Sequence, residues 1–262
     1  MLILFVALVY NHQTTFYTSS SIHHPADKKS FCIFAAKEIS MDVKAVIFDL
    51  DGTLIDNNEY HLQSWIQYLK NQDREISEEE YKERVNGRTN KDVIEYIYRR
   101  KMDDEEALVY AHEKEAIYRE LYKQHIRPVA GLMDLLKEIK DLGIPMAIAT
   151  SGIQVNIDFM FTHIPMREYF TVIVNSSHIK KGKPDPEIYI KTAELLKVDP
   201  ASCLVFEDAV VGINSAKAAG MKVIGVLTTH TAGELAGADM LIQDYTELTD
   251  EEKKFEKLVQ SL

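Results

Sequence analysis

Cysteine is nearly absent from this chain. Its 262 residues include only Cys32 and Cys203, far apart and at no metal-ligand or redox spacing. A disulfide-stapled scaffold is excluded, and a reducing, cytoplasmic setting is the expectation. Excess positive charge is missing too. The formal net charge is −11, so the surface repels nucleic acid and anionic membrane, and neither is expected as a partner. An anionic substrate stays open, because a bound cation and a few lysines reverse the sign locally. Membrane-length apolar runs are also lacking. Leu2 to Tyr10 is unbroken but too short to span a bilayer, and with no Lys or Arg before it, it makes a poor secretory signal. Internal repeats and long linkers are absent.

What is present is ordinary globular material, 46% apolar and 27% charged, in a length that allows one substantial core and a modest second lobe. Residues 1–40 read as an extension outside the fold, with the working protein starting near Met41; the alternative is a cleaved or weakly anchoring leader. From Val43 onward, short apolar runs alternate with helical periodicity. Lys44 to Phe48 reads as a strand. Leu62, Trp65, Ile66 and Leu69 then mark one face of a helix. Helices follow at Asp92 to Arg99, with Val93, Ile94 and Ile97 as the apolar face, and from Glu105 to about Gln124. Residues 57–129 therefore read as an all-helical insert. A helix carrying Leu132, Leu135, Leu136 and Ile139 stops at Gly143. Strands are expected at Pro145 to Thr150, Thr171 to Val174, Cys203 to Phe206 and Lys222 to Leu227. Helices are expected from Pro186 to about Leu196 and from Ala209 to Ala219. This alternation predicts an α/β fold, a doubly wound parallel sheet, built from residues 41–56 and 130–262 and interrupted by the helical insert.

In open parallel sheets, sites form beyond the C-terminal strand ends. After the first strand comes Asp49-Leu50-Asp51-Gly52-Thr53, and after the second Thr150-Ser151-Gly152. Lys183-Pro184 follows the third past a loop, and Glu207-Asp208 ends the fourth. Four carboxylates, a hydroxyl and an ammonium thus converge on one rim. So many carboxylates need a divalent cation among them, and hard oxygen ligands point to Mg2+. Lys183 adds positive charge. Thr150 and the backbone amides around Leu50 to Gly52 and Ser151 can donate to phosphoryl oxygens. A carboxylate can take up phosphorus covalently, and a second one two residues on can act as acid and then as base.

The segments AVIFDLDGTLID, AIATSG, KGKPDPEIY and VFEDAVVGINSAKAAG resemble the four motifs of the haloacid dehalogenase superfamily, in the group of beta-phosphoglucomutase and small-molecule phosphatases. The resemblance runs from Met41 to about Ile242. It implies a Rossmann-like core with a helical cap, a monomer by default, and a small phosphate ester as substrate. It implies Asp49 as nucleophile and Asp51 as general acid/base. Mg2+ would be held by the Asp49 carboxylate, the Asp51 carbonyl, Glu207 and Asp208. In the cap, Asp56 to His61 and Trp65 look close to the mutase, in which the residue matching His61 helps a sugar hydroxyl attack the aspartyl phosphate; Lys114 matches a substrate-contacting lysine. The loop Asn86-Gly87-Arg88-Thr89-Asn90 departs from the mutase, because Asn90 stands where that enzyme grips a second phosphate with arginine. Either Arg88 takes over or the distal phosphate is not gripped. Asn57 also departs, from a threonine. A phosphatase is the leading expectation, with a sugar phosphate as substrate, and a sugar phosphomutase is the alternative. Dehalogenation does not need Asp51. Phosphonate hydrolysis needs a Schiff-base lysine that nothing singles out among Lys70, Lys82 and Lys114. A non-catalytic binding module would have shed a core residue, and none is missing.

Overall fold

The computed structural model describes residues 43–249, together with Phe255, Lys257 and two short strands near the N-terminus. Those strands, β1 (Val9–Tyr10) and β2 (Gln13–Thr14), pair antiparallel in a unit of their own. Most of the expected N-terminal extension, Cys32 included, lies outside the described residues.

The main unit is built on a parallel sheet. Its strands are β3 (Ala45–Phe48), β4 (Met146–Ala149), β5 (Phe170–Val174), β6 (Cys203–Glu207), β7 (Lys222–Val226) and β8 (Met240–Ile242), ordered β5-β4-β3-β6-β7-β8. All five pairings are parallel. The central strands are apolar on both faces, as a sheet covered by helices requires. Val46 and Phe48 of β3 join one apolar cluster with Leu132, Leu135, Leu136 and Ile139 of α5 (Leu132–Asp141), Met160 of α6 (Gln154–His163), and Leu248 of the short α9 (Thr246–Thr249). Ala45 and Ile47 join a second with Ile188, Tyr189 and Ala193 of α7 (Glu187–Leu196) and Ile213 and Ala216 of α8 (Val210–Ala218).

Between β3 and α5 the chain makes four helices: α1 (Asn58–Lys70), α2 (Glu78–Arg84), α3 (Asn90–Tyr98) and α4 (Asp104–Tyr122). Ser77, Thr89 and Asp103 cap the last three, each accepting from a backbone N–H three residues on. The Thr89 cap explains why α3 starts at Asn90 rather than at the expected Asp92. The insert has its own apolar cluster around Trp65, Tyr68, Leu69, Tyr81, Val93 and Ile94. Ile66, expected on the buried face of α1, is 44% exposed; Tyr68 takes that place. α2, α6 and β8 were not foreseen. α2 carries a single buried residue, Tyr81, and β8 is a three-residue strand at the sheet edge, so neither produces a period.

Phe48 lies at the middle of the larger cluster, fully buried, stacked on Phe206 at 4.9 Å and edge-on to Phe170 and Tyr245. Phe48→Ala is expected to lower the unfolding free energy in urea by about 3–5 kcal/mol. A loss under about 1 kcal/mol would mean that this cluster is not the structural centre.

Candidate active site

The chain reverses direction around β3. It steps to β4 and β5 on one side, then returns to β6 on the other. The C-terminal ends of β3, β4 and β6 therefore meet where an open α/β sheet places its site. Register does the rest. Phe48 pairs with Phe206, so the residues that follow, Asp49 and Glu207, lie side by side on the opposite face.

Lys183 arrives from the loop before α7 and is 2% exposed. Its Nζ donates to Asp49 Oδ1 at 2.6 Å, to Glu207 Oε1 at 2.7 Å and to the Ala149 carbonyl at 3.1 Å, so all three of its protons are used. Burial works against the ammonium, but Asp49 and Glu207 outweigh it and carry Lys183 well above its ordinary value. The Tyr189 hydroxyl donates to Glu207 Oε1 and the Ala209 amide to Glu207 Oε2. Asp208 accepts from Asn58 Nδ2 at 2.9 Å, Thr229 Oγ1 at 2.5 Å and Thr53 Oγ1 at 3.3 Å. Gly52 has φ of +80°, and a Cβ there would lie 2.1 Å from Asp208 Oδ2. Only glycine allows this turn to approach that carboxylate. The Gly52 amide, expected to face substrate, donates instead to Asn57 Oδ1 and the Ile55 carbonyl.

Carboxylate oxygens of Asp49, Glu207 and Asp208 gather within 4.8 Å of one another. Burial, reinforced by Glu207, pushes Asp208 up to about 8. Burial also carries Asp49 well above its usual range despite Lys183, with Glu207 and Asp208 adding to the effect. This all-oxygen, charge-crowded set fits a hard divalent cation, which relieves the repulsion.

Asp51 behaves differently. Burial pushes it up, but His61, Asn57 and Lys114 outweigh that and hold it below its ordinary value. Asn57 Nδ2 donates to Asp51 Oδ1 at 2.6 Å. His61 Nε2 lies 3.3 Å from the same oxygen, but off the line of a hydrogen bond. The His61 ring stacks on Tyr118 at 3.8 Å, and Tyr118 also bonds Asn57. Lys114, 1% exposed, reaches His61 Nδ1 at 2.8 Å and Glu115 Oε1 at 3.1 Å. An ammonium only donates, so His61 Nδ1 accepts and its proton sits on Nε2. Glu115 also accepts from Asn90 Nδ2 at 2.9 Å and from Asn156 Nδ2 at 2.7 Å. Thr150 Oγ1 accepts from the Gly152 amide, and Ser151 Oγ donates to the Gly87 carbonyl of the insert.

Asp49, Asp51, His61, Arg88, Lys114, Thr150, Ser151 and Gly152 line one cavity of about 60 Å³. Lys183, Glu207, Asp208 and Gly52 lie outside its lining, joined to it through Asp49 and Asn58. The Arg88 guanidinium is half-buried and makes no hydrogen bond or ion pair with the described residues. A more open depression of about 440 Å³ between α6 and β5 holds none of the expected site residues. Asn58, Tyr118, Glu115, Asn156 and Thr229 were not foreseen. Only Thr229 had a sequence signal, since it closely follows β7, and reading that strand end as the others were read points to it.

Fold and rim together define an open parallel α/β enzyme with carboxylates gathered at its strand ends. A family model for haloacid dehalogenase-like hydrolases matches residues 46–226, and the chain belongs to that family. It is 30% identical over 212 residues to a validoxylamine A 7'-phosphate phosphatase of Streptomyces hygroscopicus subsp. limoneus, covering 78% of this chain and 95% of that one. It is 31% identical to the beta-phosphoglucomutase of Bacillus subtilis (strain 168), covering 79% and 92%. Among solved structures, a HAD hydrolase of family IA, variant 3, from Entamoeba histolytica HM-1:IMSS superposes with a TM-score of 0.72 at 37% identity, covering 83% of this chain and 99% of that one.

The raised pKa of Asp208 makes a pH-dependent prediction. Between the ordinary carboxylate range near 3.8 and about 8, the cation-free folded state keeps a proton that the unfolded chain releases, so this group's contribution to stability falls as pH rises through that window. Protein treated with a chelator is expected to melt at a lower temperature at pH 8 than at pH 5.5, and a saturating divalent cation to raise the melting temperature more at pH 8. A melting temperature without cation that rises toward pH 8 would contradict the crowding.

Proposed function

We propose that this chain is a Mg2+-dependent phosphatase that hydrolyses a small phosphorylated metabolite, a sugar phosphate, through a phosphorylated Asp49. The observation that carries this reading is the pairing of Asp49 with Lys183 inside the Asp49, Glu207 and Asp208 cluster. It gives a carboxylate nucleophile, a fixed positive charge and an oxygen-rich cation site in one place. The phosphatase among the relatives supports the same class of reaction.

Asp49, Glu207 and Asp208, with the Asp51 carbonyl, would hold Mg2+, which when bound offsets the charge of nucleophile and phosphate. Lys183 holds Asp49 in place and balances charge as an Asp49 oxygen attacks phosphorus. The Thr150 hydroxyl accepts from the Gly152 amide, leaving its own proton for a phosphoryl oxygen. The ester P–O bond breaks, and Asp51 gives its proton to the leaving oxygen. Water then attacks the phosphorylated Asp49 while Asp51 takes the water's proton, which frees phosphate and restores the Asp49 carboxylate and the protonated Asp51. Asp51, held below the ordinary carboxylate range and so ionised, is ready for the proton-taking step; the donating step requires Asp51 to exchange its Asn57 and His61 contacts for the substrate. Residues 57–129 serve as the cap over a core of residues 41–56 and 130–262. His61, Lys114, Arg88, Ser151 and Gly152 contact substrate in a monomeric, cytoplasmic enzyme.

One observation favours hydrolysis over phosphoryl return to a bisphosphate. Asn90, at the position of the mutase arginine, gives its amide to Glu115; a neutral side chain tied to a carboxylate is a poor clamp for a distal phosphate.

Protein beginning at Met41, given Mg2+, beta-glucose 1-phosphate and a trace of glucose bisphosphate, is expected to release phosphate without accumulating glucose 6-phosphate. Asp49→Asn is expected to lower kcat by about a thousandfold or more. Rapid glucose 6-phosphate formation with little phosphate would make the chain a mutase. Undiminished turnover by Asp49→Asn would remove the nucleophile assignment.

A further inference from the structure

Asn86, in the loop between α2 and α3, is 7% exposed and lines the same cavity as Asp49 and Asp51. Its orientation follows from a chain of donors and acceptors that begins at Asp208. A cation-binding carboxylate only accepts, so Asn58 presents its Nδ2 to Asp208 Oδ2, at 2.9 Å. That turns Asn58 Oδ1 toward the insert, where Asn86 Nδ2 donates to it at 2.8 Å and the Tyr81 hydroxyl lies 3.5 Å away. The Asn86 amide is thereby fixed, and its Oδ1 is a buried acceptor with no donor among the described residues. Interiors rarely keep such an atom unmet unless something else satisfies it.

We infer that Asn86 is a specificity-determining residue whose Oδ1 accepts a hydrogen bond from the organic part of the ester. On this basis the cavity takes phosphate monoesters of polyols, sugars or amino sugars, which carry a hydroxyl or amine proton to give. The inference rests on the phosphate-ester reading above and deepens it. An alkyl chain leaves Oδ1 unmet, and a carboxylate or second phosphate sets oxygen against oxygen. His61 complements it. With Nδ1 accepting from Lys114, Nε2 carries a proton and, 3.3 Å from Asp51 Oδ1 but out of line with it, is the second buried side-chain atom among the described residues without a hydrogen-bond partner. One unmet acceptor and one unmet donor in a single cavity match the two faces of a hydroxyl group, which gives one hydrogen bond and receives another. Trp65, Tyr81, Val85 and Val93 supply the apolar wall around them, the usual setting in which a few polar groups fix a ligand's orientation.

The test measures binding, so that it does not depend on turnover. Asp49→Asn protein with Mg2+ is titrated calorimetrically with glycerol 3-phosphate and glucose 6-phosphate, and with n-propyl and n-hexyl phosphate as hydroxyl-free counterparts. The better polyol ester is expected to bind at least about tenfold more tightly than its alkyl counterpart. Adding Asn86→Ala is expected to shrink that ratio below about threefold. Equal binding of polyol and alkyl esters, or no binding by any of the four, overturns the inference. So does an Asn86→Ala effect that weakens both series by the same factor, which would mean that Asn86 only props Asn58 against Asp208. If Asn86→Ala does not fold, the ligand comparison in Asp49→Asn protein decides alone. A preserved polyol preference in a chain that never releases phosphate sinks the phosphatase reading and leaves the inference standing. Release of phosphate from alkyl esters as fast as from polyol esters does the reverse.

Discussion

Everything at this rim depends on one buried ammonium. Adjacent parallel strands in register bring Asp49 beside Glu207, and Asp208 follows directly. The same pairing stacks Phe48 on Phe206 on the opposite face. The core contact and the acid contact are thus two sides of one strand alignment, and neither can shift without the other. Three buried carboxylates would repel strongly if nothing stood among them. Lys183 spends every proton on this problem, two on carboxylates and one on a backbone carbonyl. A buried pair of this kind is weak evidence for added stability, since desolvation offsets attraction. Its value is positional: it holds the Asp49 carboxylate in one place and leaves Asp208 crowded enough to favour a cation.

How much of this was legible in the sequence follows from the range of each interaction. Five of the sheet's six strands were readable because each is an apolar block closed by polar residues, and the rule that sites form at strand ends then collected Asp49, Asp51, Thr150, Lys183, Glu207 and Asp208. The insert was readable as helical, but its details were not. Ile66 fits the period of α1 yet faces solvent, because the insert's small apolar cluster is filled by Trp65, Tyr68 and Leu69. α2 is held by a serine cap and a single buried tyrosine, which leave no repeating pattern. The amide network was invisible for a deeper reason. Asn58 meets Asp208 across 150 positions and Thr229 across 171; Asn156 meets Glu115 across 41. Side-chain amides this far apart in sequence have no local signature, and a single chain offers no second sequence against which they could be seen to vary together.

The insert and the sheet keep separate apolar clusters, and α4 runs from one to the other, alongside α1, whose Tyr60 packs against the sheet's cluster and whose Trp65 lies in the insert's. Ala107 and Ala111, in its first half, pack into the insert's cluster; Tyr118 and Tyr122, near its end, pack into the sheet's. Nineteen residues make a rod of about 28 Å, stiff enough for one end to report on the other. Lys114 and Glu115 sit between the two anchor points, and the polar contacts to the sheet side collect there. Glu115 accepts from Asn156 on α6, Arg119 donates to the same Asn156 at 2.8 Å, and nearby Ser151 donates to the Gly87 carbonyl.

That division of labour bears on motion. Many contacts across the boundary beside the cavity are hydrogen bonds, which water can replace at small net cost, whereas each apolar cluster would lose far more by opening. The insert can therefore part from the rim without unmaking either cluster, pivoting where Tyr118 and Tyr122 hold α4 to the sheet. The proposed phosphatase reaction would require such a movement, because Asp49 is only 7% exposed. The chain from Asp51 through His61, Lys114 and Glu115 to Asn156 would then be complete only when the insert is down. In this structure Asn156 donates to Glu115, Glu115 accepts from Lys114, Lys114 bonds His61 Nδ1, and His61 faces Asp51. On the proposed reaction, proton transfer at Asp51 would be tied to closure by contacts that form or break together, and bulk water would be kept from Asp49 while the ester bond is cut.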